Sequence, residues 1–448
     1  MRRTALLGTL RHPARIVPLG FLAAIAVGTG LLMLPVARAG DGAAPPLTAL
    51  FTSTSAVSVT GLVTVDTGTY WTPFGQVVIL VLVQAGGFGI MTGASLLGLL
   101  VARRLRLRDK MAAASESKQL ALGDIRRVVV RIAAFTFAVE GAVALVLFLR
   151  FKTGYGQGWG ASAWNAVYHS VSAFTNGGFS PHADSLARYV TDPLVCLPIV
   201  LAVIIGGIGF PVLADLARRR GSPAKWTVHT KLTVLATAVL LFIGFAGYLA
   251  LEWDNPDTLG EYGVGGKLLP AFFSGAMPRT GGFSTIDTGA LRPETLAVTD
   301  GLMFIGGGSG GTAGGVKVTT FFLLAFVIWA EVRGEPDVSV FKRRIGHTVQ
   351  RQALAVALLG LACASTGTLL LLLFTDFGLD QVMFEALSAF GTVGLSTGIT
   401  GDLNAAAQTV LVVLMYVGRV GTIAVATAMA LRVRNRLYRY PEERPIVG

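Results

Sequence analysis

The sequence predicts an all-α polytopic membrane protein with four helix–pore-loop–helix repeats, in which eight transmembrane helices and four re-entrant half-helices surround one central pore. Three observations lead to this prediction. Only 14% of the 448 residues are charged, whereas soluble domains carry about 25%. The basic residues are concentrated in a few short stretches between long apolar segments. One short motif, rich in glycine and small residues, occurs four times along the chain.

The distribution of basic residues predicts the orientation in the membrane. Of the 37 Lys and Arg residues, 28 fall at the N-terminus, in the C-terminal tail and in the stretches 103–131, 218–231 and 333–351. The connections between these stretches are acidic instead, with Asp66, Asp184, Asp192, Glu252, Asp254, Asp257, Glu261, Asp376 and Asp380. Because Lys and Arg favour the cytoplasmic side, we expect an even number of spans, with both termini in the cytoplasm and the acidic connections outside.

The composition also excludes several function classes. The net charge of +12 arises mostly from these membrane-flanking stretches, so it predicts no nucleic-acid partner. Cys196 and Cys363 lie in apolar segments and have neither disulfide nor metal-ligand spacing. The five histidines are scattered, and no nucleophile or zinc motif accompanies them. We therefore expect no enzyme activity and no covalent cofactor.

Four copies of one unit divide the chain into the repeats 1–104, 105–220, 221–345 and 346–448. Each copy has a long apolar helix, a short segment of small residues, a glycine-containing turn and a second apolar helix. The turns are 57–62, 174–179, 278–283 and 390–395, aligned on Gly61, Gly178, Gly282 and Gly394. A second glycine-rich match follows 24 to 28 residues later, at 86–89, 206–209, 306–315 and 418–421. Small residues also allow close helix packing in membranes, and for 86–89 and 206–209 that interpretation is equally open.

The lengths of the segments predict the path of the chain. The long segments are 14–37, 128–150, 230–252 and 352–374, and about 20 residues are enough to cross a hydrocarbon core of about 30 Å. The short segments, such as 44–56 and 379–390, reach only about 18 Å at about 1.5 Å per residue. They cannot span the membrane. Because each begins and ends on the acidic side, we expect it to enter the membrane and return, around a water-lined cavity.

The composition of the turns predicts a pathway for cations. A turn rich in Ser, Thr and Gly after a half-helix can direct a column of backbone carbonyls toward an axis, where they replace the hydration shell of a cation. The half-helices end at these turns, so their partial negative charge favours a cation as well. Glycine is needed because the required φ values are resisted by a Cβ atom. No carboxylate ring lies at the turns, which argues against selectivity for divalent cations.

The glycine-rich segment 306–317 is predicted to be an intramembrane gate. Seven of the ten residues 306–315 are Gly, and no stable helix would contain them at about 1 kcal/mol per Gly. We expect this segment to plug the pore, with the gating residues Gly306, Gly307, Gly308, Ser309, Gly310, Gly311, Thr312, Gly314, Gly315, Lys317 and Arg419. The glycine spacing is also that of a phosphate-binding loop, but Val316 stands where Lys is required, which argues against nucleotide binding.

Further charged features lie in or beside the membrane segments. Arg419 occupies the position in the fourth repeat that matches the glycine-rich segment. We expect it to hold the gate through loop carbonyls or the hydroxyls of Ser309 and Thr312, and to repel cations. The alternative is that Arg419 serves helix packing alone. We expect Arg279 to be structural, and Glu140 has no partner that the sequence identifies. The basic segments around 103–127 and 333–351 could bind anionic lipids or a regulatory partner.

The four turns, the broken helix around 306–317 and the tail 440–448 resemble the Trk/Ktr/HKT superfamily of cation transporters, and most of all its Ktr membrane subunits, over nearly the whole chain. The resemblance implies potassium uptake across a bacterial cell membrane, with potassium as the substrate and sodium as a candidate activator. It also implies a homodimer on a cytosolic ring of nucleotide-binding regulatory subunits. The tail is expected to anchor the dimer.

By this resemblance the selectivity-filter residues are Val59, Thr60, Gly61, Asn176, Gly177, Gly178, Thr280, Gly281, Gly282, Thr392, Val393 and Gly394. Glycine at all four aligned positions goes with potassium selectivity in this family, whereas Ser at the first goes with sodium transport. Two alternatives stay open: a less selective sodium/potassium transporter of the same fold, and a secondary solute symporter with broken helices. The symporter predicts inverted repeats, whereas all four turns are expected to enter from the same side.

Overall fold

The computed structural model describes residues 13–109 and 120–421 of the chain, with side chains described over 17–95 and 126–421. Most of these residues are helical. The start of the chain, the basic stretch 110–119 and the tail 422–448 lie outside the described residues. The predicted role of 440–448 therefore stays a prediction.

The helices follow one another in four groups. The first group contains α1 (Pro13–Leu32), α2 (Pro46–Val57) and α3 (Pro73–Asp109). The second contains α4 (Leu120–Gly154), α5 (Trp159–Phe174), α6 (Pro193–Ile208) and α7 (Phe210–Arg218). The third contains α8 (Val228–Leu251), α9 (Val264–Ala276), α10 (Pro293–Phe304) and α11 (Val318–Val332). The fourth contains α12 (His347–Phe374), α13 (Leu379–Gly391) and α14 (Ala405–Tyr416), and an antiparallel hairpin of β1 (Ser339–Val340) and β2 (Arg343–Arg344) precedes it.

Local sequence signals fix where these helices begin. Prolines occupy the first turn of α2, α6 and α10, where a missing N–H does no harm. The side chains of Asp192, Thr227 and Asn404 accept backbone N–H bonds at the starts of α6, α8 and α14. Each short helix, α2, α5, α9 and α13, leads directly into one of the glycine-containing turns.

The four groups pack into a closed ring. Within each group the first long helix packs against the short helix, as α1 does on α2 and α4 on α5. Between groups a later helix packs against the next short helix: α3 on α5, α6 on α9, α10 on α13, and α14 back on α2. The last group therefore meets the first. The ends of the four short helices meet around one axis as a result.

The composition and surface of the long helices fit a multi-pass membrane protein. Within the described residues, four helices are long and apolar enough to cross a membrane, at Pro73–Ser95, Arg126–Gly154, Val228–Leu251 and His347–Phe374, and α6 with α7 would make a fifth. Their outward faces expose large apolar side chains such as Phe137, Phe242 and Leu373. Soluble proteins rarely expose contiguous surfaces of this kind.

A break in the second group was not anticipated from the sequence. Helices α6 and α7 meet at Gly209 at an angle of 95°. Gly209 has a φ of 100°, and a Cβ atom there would lie 2.8 Å from the carbonyl oxygen of Ser309. Pro211 then occupies the first turn of α7. The chain bends here because the glycine-rich segment of the third group occupies the space in front of Gly209.

The second set of aligned glycines lets the groups close tightly. A Cβ atom on Gly86, Gly206 or Gly418 would overlap a carbonyl oxygen near the end of the short helix of the same group, at Val57, Phe174 and Phe390 respectively. The absent side chains bring α3, α6 and the π-helical turn Val417–Gly421 after α14 into backbone contact with α2, α5 and α13. These glycines therefore have a packing role whatever else they do.

We predict that Gly206→Ala destabilises the fold. The added methyl group has no space beside the Phe174 carbonyl, and overpacking of this kind costs about 1–3 kcal/mol. The thermal unfolding midpoint of the detergent-purified protein should fall. Gly141→Ala is the matched control, because a Cβ atom there meets nothing within 4 Å. Equal midpoints for the two variants would contradict the packing role.

Candidate cation pathway

The four turns share one backbone conformation. The first residue of each predicted triplet has a positive φ: 54° at Val59, 63° at Asn176, 70° at Thr280 and 50° at Thr392. The φ angle of the glycine two residues later is positive again, at 95° for Gly61, 67° for Gly178, 70° for Gly282 and 93° for Gly394. The φ angle of the residue between them is not positive. This alternation turns successive carbonyls toward the same side of the chain.

The surrounding structure holds this conformation against strain. Positive φ is unfavourable for β-branched residues such as Val59, Thr280 and Thr392, at about 1–3 kcal/mol each. In the first, second and fourth turns the next residue donates its N–H to a carbonyl of the preceding short helix, as Thr60 does to Ser55 at 2.8 Å and Val393 to Ser388 at 2.8 Å. The matching serine hydroxyls accept from Gly61 and Gly394, both at 3.1 Å.

Close approach of the turns makes glycine necessary for a second reason. A Cβ atom on Gly61 would lie 2.5 Å from the carbonyl oxygen of Gly177, and one on Gly178 would lie 2.7 Å from the Cα of Gly282. A Cβ atom on Gly282 would lie 2.6 Å from the carbonyl oxygen of Val393, and one on Gly394 would overlap that of Thr60. Each turn thus touches the next, and the fourth touches the first. We call these four turns the turn ring.

An outer cavity of about 580 Å³ opens directly against the turn ring. All four aligned glycines line it, so the four turns face the same space. Three acidic residues also line this cavity, namely Asp66, Asp184 and Asp287. Acidic linings concentrate cations in a cleft by several kT of potential. The outer cavity is therefore suited to collect cations in front of the turn ring.

The charged residues that line the outer cavity are mostly negative. Arg188 pairs with Asp184 at 2.6 Å, and its hydrogen bonds hold the pKa of Asp184 below the usual range for Asp. His182 also lines the cavity; its burial, together with the charge of Arg188, lowers its pKa below the ordinary value of His. The lowered pKa means that His182 adds little positive charge to the outer cavity near pH 7.

The glycine-rich segment, which runs from Ile305 to Lys317 between α10 and α11, is fixed to the broken end of α6. Because α6 ends at Ile208, the carbonyls of its last turn have no partner within the helix. The carbonyl of Gly207 accepts from Gly308 N at 2.8 Å, and that of Gly206 accepts from Thr312 N at 3.1 Å. The glycine-rich segment therefore supplies hydrogen-bond partners for the backbone carbonyls at the broken end of α6.

A chain of side-chain hydrogen bonds joins this segment to the turn ring. Asn176 donates through Nδ2 to Thr280 Oγ1 at 3.1 Å, which links the second and third turns. The Oδ1 atom of Asn176 accepts from Thr312 Oγ1 at 2.7 Å. Arg419 donates to the backbone carbonyl of Thr312 from the other side. We call this chain, from Thr280 through Asn176 and Thr312 to Arg419, the polar bridge.

The predicted gating cations both contact the segment, through carbonyls rather than hydroxyls. Arg419, in the π-helical turn Val417–Gly421, is buried and reaches the Thr312 carbonyl. The hydroxyls proposed as its partners bond elsewhere: Ser309 to Thr319 Oγ1 at 3.0 Å, and Thr312 to Asn176. Lys317 donates to the carbonyls of Ala313 and Gly314 within the segment.

The other two charges have modest contacts. Arg279 is buried and donates to the carbonyl and hydroxyl of Thr237, both at 3.3 Å, as a structural role requires. Glu140, whose partner could not be identified from the sequence, accepts from Gln84 Nε2 at 3.3 Å across α3 and α4. Neither side chain faces the outer cavity.

Two buried residues that support the turns were missed. Glu385 on α13 accepts from the hydroxyls of Ser396 at 2.5 Å and Thr400 at 2.9 Å. His169 on α5 bonds to Ser180 Oγ at 3.2 Å. Both lie three residues before the aligned serine of their short helix, and both reach the second residue after the turn glycine. The signal available in the sequence was a titratable residue at the same position, three residues before the aligned serine, in two of the four half-helices.

Comparison with protein-family models identifies one family. The model of the TrkH cation transport proteins matches residues 16–436. A Ktr system potassium uptake protein B from Bacillus subtilis is 37% identical over 97% of this chain and 97% of its own. The potassium/sodium uptake protein NtpJ from Enterococcus hirae is 32% identical, again over 97% of each chain.

A solved structure has a similar fold. The crystal structure of the potassium transporter TrkH from Vibrio parahaemolyticus superposes with a TM-score of 0.70, covering 93% of this chain and 85% of that one. The two sequences are 18% identical over this match. At that level the similarity concerns the arrangement of the helices.

Proposed function

Because the chain belongs to the TrkH family of cation transport proteins, we propose that it takes up potassium through the turn ring. Membership confirms the resemblance predicted from the sequence. The family is one of cation transporters, so the chain is a transporter and not an enzyme. The observation that carries the proposal is the shared backbone of the four turns, closed into one ring against an acidic cavity.

The proposed selectivity filter consists of the twelve residues of the turn ring: Val59, Thr60, Gly61, Asn176, Gly177, Gly178, Thr280, Gly281, Gly282, Thr392, Val393 and Gly394. Their carbonyls would replace the hydration shell of a monovalent cation. In this proposal eight helices or helix pairs cross the bacterial cell membrane, both termini are cytoplasmic, and α2, α5, α9 and α13 enter from outside and return. The membrane potential would drive uptake with about 2.3 kcal/mol per charge per 100 mV.

Two observations bear on the alternative functions. The relatives include both potassium and potassium/sodium uptake proteins by name, which favours a less selective sodium/potassium transporter as the second candidate. A secondary symporter would place inverted repeats on opposite sides of a midplane site. All four turns line one cavity instead, which favours a channel-like filter.

We predict that Gly61→Ser weakens discrimination between potassium and sodium. A side chain there opposes the φ of 95° and meets the Gly177 carbonyl. The ratio of potassium to sodium flux into proteoliposomes, measured with tracer ions, should fall roughly tenfold, which corresponds to about 1.4 kcal/mol. Ser in place of Gly178, Gly282 or Gly394 should act in the same direction.

Gly42→Ser is the matched control for this experiment. Gly42 also has a positive φ, of 79°, but a Cβ atom there meets nothing within 4 Å. The control should keep the flux ratio of the unmodified protein. If all four ring variants carried ions with an unchanged ratio, the filter assignment would be abandoned.

We further propose that the segment 306–317 gates this pathway. Its support is the hydrogen bonding to α6 and the polar bridge, which fix flexible backbone beside the turn ring. Arg419 would hold the segment and repel cations, while Lys317 stiffens it. The relatives are named as proteins B and D of a Ktr system, which implies a partner subunit. We infer that the chain works as a homodimer and that a cytosolic nucleotide-binding ring shifts the segment.

Arg419→Ala should raise potassium flux in the absence of any regulatory subunit. Removing the guanidinium releases the Thr312 carbonyl and lowers the electrostatic barrier. Flux of purified protein in proteoliposomes measures this. Arg150→Ala is the control, because it removes an ion pair with Asp192 that is remote from the segment. A folded Arg419→Ala protein with unchanged or reduced flux would rule out the gate.

A further inference from the structure

A second large cavity lies at the opposite end of the long helices from the outer cavity. Its volume is about 760 Å³, and it lies where α7 ends and α8 begins, beside the β1–β2 hairpin. The other end of α8 carries Glu252, which bonds to Arg292 near the outer cavity. At about 1.5 Å per residue, the 24 residues of α8 separate the two ends by about 36 Å. The two cavities therefore open on opposite faces of the protein.

The lining of this basic cavity is strongly cationic. Five basic residues line it: Arg219, Lys225, Lys231, Lys342 and Arg343. No carboxylate residue is among its described lining. Asp215, just behind, pairs with Arg219 at 3.2 Å and accepts hydrogen bonds from Thr227 and Thr230. Within the described part of the chain the other four cations form no ion pair. A bound anion would relieve their mutual repulsion.

The β1–β2 hairpin, which contributes Phe341, Lys342 and Arg343 to the cavity lining, is held in place by buried apolar residues. Val340 is fully buried with Val338 and Ala330, and Val228 at the start of α8 packs against them. The two turn residues that follow, Phe341 and Lys342, have φ values of 49° and 62°. Gly and Asn usually occupy such positions, and side chains held there against strain concentrate at ligand sites. The hairpin thus holds Phe341 and Lys342 toward the cavity.

The surroundings identify the kind of anion. Helix α8 is one of the apolar helices long enough to cross a membrane, and its first residues line the cavity. Trp226 also lines it, and aromatic side chains of this type concentrate where a membrane meets water. Next to the hairpin, the end of α11 exposes apolar surface at Ile328, Trp329 and Val332. The basic cavity therefore lies next to an exposed apolar surface at the end of α11.

We propose that this cavity binds the phosphate-bearing headgroup of an anionic phospholipid, with its acyl chains along the exposed end of α11. The proposal rests on the membrane placement in the proposed function, but not on the filter or the gate. The cavity lies between two basic loops, 218–231 and 333–351, that are far apart in sequence. A bound lipid would stabilise the packing of the start of α8 against the hairpin.

The test compares lipid retention by the intact protein. The full chain is purified from vesicles of equal parts phosphatidylglycerol and phosphatidylcholine, and native mass spectrometry measures which lipids stay bound. We expect the unmodified protein to prefer phosphatidylglycerol. In the double variant Lys342→Gln with Arg343→Gln this preference should fall roughly thirtyfold, as the loss of two charges near a lipid surface implies. Lys225→Gln, from the other loop, should lower it in the same direction.

Arg344→Gln is the matched control. Arg344 lies in the same hairpin but outside the cavity lining, and it pairs with Asp337 at 2.9 Å. An equal loss of preference in this variant would overturn the proposal, because general surface charge would explain binding. Displacement of the lipid by millimolar inorganic phosphate would overturn it in favour of a soluble anion. If the double variant Lys342→Gln with Arg343→Gln kept its lipid preference but lost binding of a regulatory subunit, the proposal would be overturned in favour of a protein partner.

Failure here is distinguishable from failure of the proposed function. Lipid retention is measured without transport, so a protein that retains phosphatidylglycerol selectively and carries no potassium contradicts the transport proposal alone. A protein that carries potassium in proteoliposomes and shows no preference between the two lipids contradicts the lipid site alone.

Discussion

The backbones of four turns approach one another at Gly61, Gly178, Gly282 and Gly394 so closely that a Cβ atom on any of them would meet its neighbour. The same glycines need positive φ values. These two constraints require four short helices to end at one level around one axis. The ring packing of α3 on α5, α6 on α9, α10 on α13 and α14 on α2 holds those ends there. The long helices surround this arrangement and give it an apolar exterior.

Strain in the turns is offset by contacts that come from elsewhere in the chain. Val59, Thr280 and Thr392 adopt a conformation that β-branched residues avoid. Hydrogen bonds back to the short helices hold the first and fourth turns, and Glu385 and His169 hold the segments that follow the fourth and second turns. A backbone fixed in this way keeps its carbonyls oriented when no ion is bound. In the proposed filter, this would lower the reorganisation needed for each ion that enters.

The polar bridge gives the turn ring a physical connection to the glycine-rich segment. Asn176 belongs to the second turn, yet its side chain bonds to Thr280 in the third turn and to Thr312 in the segment. A displacement of the segment therefore breaks or rearranges the hydrogen bond between Asn176 and Thr312, which ends on the turn ring. Arg419 contacts the same residue, Thr312, from the fourth group. In the proposed gate, these few bonds would couple the position of the segment to ion occupancy of the turn ring, in both directions.

Much of this could be predicted from the sequence because it is local or repeated. Hydropathy and the basic stretches predict the long apolar helices, and the four aligned glycines are visible as a repeat. The break at Gly209 could not be predicted from its own helix, since it depends on Ser309 in another group. For Arg419 the sequence left loop carbonyls and two hydroxyls open as partners, and the choice of the Thr312 carbonyl depends on the path of the segment. Glu385 and His169 share one position relative to the aligned serine, but that spacing does not identify their hydrogen-bond partners across the turn, Ser396 and Ser180.

The most direct test of the central claim is to locate a heavy monovalent cation in crystals of the protein. Thallium resembles potassium in size and scatters anomalously, so its position can be measured without assumptions about the filter. We expect anomalous peaks on the axis of the turn ring, within coordination distance of backbone carbonyls from all four turns, such as those of Thr60, Gly177, Gly281 and Val393. Peaks confined to the acidic outer cavity, with the axis of the ring empty in a thallium-saturated crystal, would contradict it.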